Sequence, residues 1–127
     1  VNNAADPDGL GLYAAMRTET LATDAPGRAM QLVALIRELR GAAHLIALRA
    51  AGLDTKTAHH IKRPDMVTQF GYAPEDAPTI TDATHAQMAA AENLTDALCA
   101  PAYAVLSESE RTTLANGVAA MKAALQG

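Results

Sequence analysis

The chain has 127 residues and a mass of 13.2 kDa, which suits one domain with a single core. Thirty of its residues are Ala, four are aromatic and Trp is absent, so it is too poor in β-branched and aromatic side chains for a sheet and well suited to helices. A formal net charge of −4 excludes a general polycation for nucleic acid or anionic lipid, and the lone Cys99 excludes a disulfide scaffold or a Cys-rich zinc site.

No apolar run reaches the roughly 18 residues of a membrane span, and Val1 to Gly9 lacks a charged-then-apolar leader, so the expected setting is the cytoplasm with no membrane partner. After the turn signal Asp6-Pro7-Asp8-Gly9, the apolar spacing of Leu10 to Leu21 predicts a first short helix. Thr23 or Asp24 then supplies a cap, Pro26 fits a first helical turn, and the helical pattern runs unbroken to Ala51 before Gly52. Within it Leu32, Leu35, Ile36, Leu39, Ala43, Ile46 and Ala50 form the expected core stripe of a long central helix.

Asp54 or Thr55 can cap a short helix through Ile61, which Pro64 ends. Asp65 to Phe70 predicts a further turn of helix. The stretch Gly71 to Pro78 is the best loop in the chain, with Phe70 and Tyr72 expected to pin it to the core. Thr81 or Asp82 opens a helix to about Ala100, with Met88, Ala91, Leu94, Thr95 and Leu98 facing inward and Pro101 interrupting it. Ser107 and Glu110 have capping-box spacing for the last helix, whose stripe is Leu114, Val118, Met121 and Leu125. The fold expected is an all-α bundle of five or six helices around the long one.

Two surfaces carry chemistry. On the long helix Arg37, Arg40 and His44 fall on neighbouring turns at i, i+3 and i+7, flanked by Val33, Ala47, Leu48 and Ala51. Two guanidinium groups and an imidazole among apolar neighbours suit a small anionic ligand. The alternative is that the arginines snorkel or pair with carboxylates while His44 is a hydrogen-bonded core residue.

The second surface is the segment from His44 to Arg63, which has the form of a helix-turn-helix. Gly52 supplies the turn, Leu53 the following apolar residue, and Ala58 and Ile61 the inner face of the second helix. Its DNA-facing candidates are Lys56, Thr57, His60, Lys62 and Arg63. Residues 37 to 63 hold six Lys or Arg against two acids, while the remainder holds four against twelve. Phosphate contacts from so few cations would be weak, which ranks nucleic acid behind a small ligand. His59 and His60 are adjacent and point about 100° apart, unlike the i, i+4 pair of helical zinc sites, so no metal or cofactor is expected.

The stretch Arg37-Glu38-Leu39-Arg40-Gly41-Ala42-Ala43-His44, with Leu48 to Asp54, Phe70-Gly71-Tyr72 and Leu94 to Tyr103, resembles a family of actinobacterial proteins. The resemblance spans roughly Pro26 to Leu125. It implies an all-helical fold related to the winged helix-turn-helix regulators of the multiple-antibiotic-resistance type, although no two-stranded wing is evident here. Family members are about twice as long, which makes this chain the counterpart of their C-terminal half and the missing N-terminal half an expected partner, alongside a homodimer. The function expected is a non-enzymatic regulatory or anion-sensing module. The alternatives are a DNA-binding regulator domain and a small-molecule enzyme using His44.

Overall fold

A computed structural model describes residues 1–126. The chain is all-helical, with α1 at Gly11–Met16, α2 at Ala25–Ala50, α3 at Thr55–Lys62, α4 at Asp82–Tyr103 and α5 at Glu108–Gln126. Short 3₁₀ turns at Pro64–Met66 and Pro74–Asp76 punctuate the connection between α3 and α4. Among the described residues there is no strand, and no helix is long and apolar enough to cross a membrane.

Two compact units divide the chain: Val1–Arg40 with the segment from Cys99 onward, and Gly41–Leu98. The first unit is built around Tyr13, which is fully buried. Its hydroxyl donates to the Asn2 carbonyl at 3.2 Å, and Asn2 in turn donates its side-chain amide to the Leu32 carbonyl. Arg17 lies over the Tyr13 ring and donates to the Ala5 carbonyl at 3.0 Å. A polar N-terminal segment with few apolar residues is thereby held to α2 by directional bonds, with Leu35 and Leu39 buried on the α2 side.

The start of α2 is capped by Asp24, whose carboxylate accepts from the Gly27 N–H at 2.8 Å. In α5 the expected capping box is present: Glu110 accepts from the Ser107 N–H at 2.8 Å, and the Glu110 N–H donates back to the Ser107 hydroxyl at 3.3 Å. Yet no side chain of α5 is buried, and Val118 and Leu125 of its stripe are exposed.

In the second unit the core gathers Ala47, Leu48, Leu53, Ala58, Met88 and Ala91. This corrects the expected stripe. Ile46 and Ala50 face solvent, while Ala47 and Leu48, assigned to a flank, are buried. The buried positions Leu35, Leu39, Ala43 and Ala47 follow an i, i+4 row, which winds about 40° around the helix with each step, so later members leave the face on which the row began. The same correction applies to α4, where Met88, Ala91 and Thr95 are buried but Leu94 and Leu98 are exposed. Pro101 does not interrupt α4, which continues to Tyr103. Having no N–H, Pro101 leaves the Ala97 carbonyl without its usual i+4 donor, and only two residues of helix follow it.

Candidate nucleic-acid interface

The turn between α2 and α3 is a complete Schellman motif. Gly52 adopts φ +73°, the Leu53 N–H donates to the Leu48 carbonyl at 2.9 Å, and the Gly52 N–H donates to the Arg49 carbonyl at 3.1 Å. Leu48 and Leu53, the residues whose apolar contact accompanies this motif, share one core cluster. Leu48 is only 2% exposed, so a leucine fits where a smaller residue is usual in a helix-turn-helix.

Asp54 then starts α3 by accepting from the Thr57 N–H at 2.7 Å and the Thr57 hydroxyl at 3.0 Å. These bonds hold the Asp54 carboxyl below its usual range, chiefly through the Thr57 backbone N–H. Ala58 is buried and Ile61 packs against the core, which fixes the inner face as the sequence suggested. The outer face starts at Thr55 and Lys56, both half-buried.

The five DNA-facing candidates meet different surroundings. Thr57 is buried and committed to Asp54, so it secures the start of α3 instead of presenting its hydroxyl outward. Lys62 pairs with Glu92 of α4 at 2.9 Å, and Arg63 pairs with Asp65 at 3.3 Å and also contacts the Met66 sulfur. His60 donates from Nδ1 to the Lys56 carbonyl at 2.9 Å, and His59 does the same to the Thr55 carbonyl at 2.7 Å, because a carbonyl can only accept. His60 Nε2 is buried and, among the described residues, has no hydrogen-bond partner. Lys56 is the cation of α3 nearest its N-terminus, and Arg49 lies exposed in the last turn of α2.

Phe70 and Tyr72 do not reach the core; they lie against the histidines. The His59 ring centroid is 4.3 Å from Phe70 and 5.8 Å from Tyr72, and that of His60 is 6.0 Å from Tyr72. The loop therefore covers the C-terminal half of α3 and leaves its first turn uncovered by these rings. Across the whole second unit, four Lys or Arg face seven acids, so the cationic character is confined to the end of α2 and to α3.

Of the three residues proposed for an anion, Arg37 and Arg40 belong to the first unit and His44 to the second. Arg37 lines a groove with Tyr103 and Arg111, two residues that sequence spacing could not connect to it because they lie more than sixty positions away. Burial raises the Tyr103 hydroxyl above its usual range, a shift the neighbouring Arg40 charge opposes. His44 Nδ1 lies 2.9 Å from the Thr95 hydroxyl. Among the described residues no group of three His, Cys, Asp or Glu could hold a metal ion.

This arrangement, two helices joined through a glycine turn and sharing one core, is that of a helix-turn-helix protein. A helix-turn-helix family profile matches residues 1–69, more than half of the chain, and the chain belongs to that family. Among curated proteins and among solved structures, no match is found.

Proposed function

We propose that the chain is a non-enzymatic regulatory module that binds DNA through α3, as the helix-turn-helix regulators of the resemblance do. The observation that carries this reading is the Schellman turn at Gly52, which joins α2 to α3 inside the segment matched by the family profile. In such motifs the N-terminal residues of the second helix meet base edges, while the first helix approaches the backbone. Thr55 and Lys56 occupy the first role here, and Arg49 suits a phosphate contact. Lys62 and Arg63, already paired with carboxylates, contribute less.

Few cations imply low affinity. A single copy is expected in the non-specific range of about 10⁻⁴ to 10⁻⁶ M at physiological salt. Fluorescence anisotropy with labelled duplex DNA, repeated across salt concentrations, tests this. Lys56→Ala and Arg49→Ala should each weaken binding across sequences and reduce the salt slope by about 1. Absence of binding to any duplex at low salt, with the chain folded, would overturn the reading.

A further inference from the structure

The geometry points to a binding groove for a single-chain fatty acid between α2 and α5 in the first unit, with Arg37 and Arg111 holding its carboxylate. The groove is open to solvent, with a volume of about 500 Å³, and Val33, Ile36, Leu114 and Val118 supply its apolar walls. Arg37, Arg111 and Tyr103 are the polar residues along a lining that is otherwise apolar. Next to it, sharing Val33 and Val118, a second hollow of about 290 Å³ is walled by Met30, Met121 and Leu125, with Lys122 and Gln126 also lining it. From Arg37 back to Met30 the channel follows seven residues of α2, about 10 Å at the helical rise, so the space is elongated and suits an extended alkyl chain.

Three observations select the occupant. First, among the described residues neither Arg37 nor Arg111 lies within ion-pair distance of a carboxylate, although both border apolar surface. Guanidinium groups in such a place favour a partner that brings its own anion. Second, α5 buries no side chain and carries one charge, Lys122, from Thr112 to Gln126. A helix so poor in charge is adapted to being covered by something apolar. Third, a second copy docked through this same face would offer the two arginines few acids, because Glu38 is the only acid of α2 and those of α5 are Glu108 and Glu110, the latter engaged with Ser107. An apolar tail with a carboxylate head meets all three conditions.

The inference does not rest on DNA binding and is tested without DNA. Decanoate, kept below its micelle concentration, is titrated into the full chain by calorimetry and thermal shift, with decanol and decyltrimethylammonium as neutral and cationic controls. Decanoate should bind and raise the melting temperature, and the controls should bind about tenfold more weakly or less. Arg37→Gln with Arg111→Gln should lower decanoate affinity by about tenfold or more while melting like the parent without ligand, because both side chains are exposed. Val118→Glu, which places a negative charge on the apolar wall, should abolish binding. Equal binding of all three head groups, or unchanged affinity in the double variant, would overturn the proposal. So would a stable dimer in sedimentation that takes up no decanoate, which would assign the groove to a second copy instead.

Discussion

His44 Nδ1 and the Thr95 hydroxyl lie 2.9 Å apart. Thr95 has one hydroxyl proton, and that proton is donated to the Ala91 carbonyl at 2.7 Å. That leaves the Thr95 oxygen to accept, so His44 carries a proton on Nδ1 in this pair. Thr95 is fully buried, so the contact at its end is closed to water. Thr95→Val keeps the volume and removes the acceptor, and should cost about 1–3 kcal/mol in urea unfolding. Thr95→Ser keeps the hydroxyl and should restore most of that loss.

Gly52→Ala should destabilise the chain by about 1–2 kcal/mol, because φ +73° is a left-handed conformation that a Cβ disfavours. A Cβ there would also stand 3.2 Å from Gln87 Nε2, which would have to give way. Gly52→Asn should cost less, since Asn tolerates this conformation at a helix C-terminus. Thermal melts of the two variants decide the order, and an Ala variant as stable as the parent would contradict the turn described here.

Asp54→Ala should cost about 1 kcal/mol near neutral pH through loss of the α3 cap. The Asp54 carboxyl is held below its unfolded value by the Thr57 N–H, so its contribution is fully present above about pH 4 and disappears as the pH falls through the lower folded value. Parent and variant should therefore converge in stability in strong acid. Denaturant midpoints measured at several pH values check both the size and the direction of the effect.

Leu39→Ala and Ile46→Ala test the path of the buried row along α2. Leu39 is 3% exposed and its truncation should cost roughly 2–5 kcal/mol. Ile46 is 43% exposed, and its truncation should cost about 1 kcal/mol or less. Equal losses in the two variants would place Ile46 back in the core.

Where the sequence carried local chemistry, it was legible. Asp24 and Gly52 bounded α2, Asp54 started α3 and the Ser107–Glu110 spacing marked α5, because a cap or glycine turn is decided by a few neighbouring residues. The buried face of α2 was harder to read. Leu45, Ile46, Ala47 and Leu48 are consecutive apolar residues pointing in four directions, so periodicity gives no preference there and only the packed neighbours choose Ala47 and Leu48. Contacts distant in sequence were illegible for the same reason. Nothing near Lys62 announces Glu92, and nothing near Arg37 announces Arg111. The helix-turn-helix itself could be read from Gly52, Leu53, Ala58 and Ile61, whereas the aromatic cover on its histidines comes from a loop whose course no local rule sets.

The start of α4 is tied differently from its neighbours. Thr84 N–H donates to the Thr81 hydroxyl at 3.3 Å, and Thr81 N–H donates to the Thr84 hydroxyl at 2.8 Å, so two neutral side chains do what Asp54 does for α3 and Glu110 does for α5. Hydroxyl groups do not titrate in acid, whereas carboxylates lose their strength as acceptors on protonation. Acid should thus fray the chain selectively: amide exchange should quicken first in the opening turn of α3 and at the Ser107 N–H before α5, while the opening turn of α4 and the Glu110 N–H, held by hydroxyl groups, keep their protection until the fold gives way.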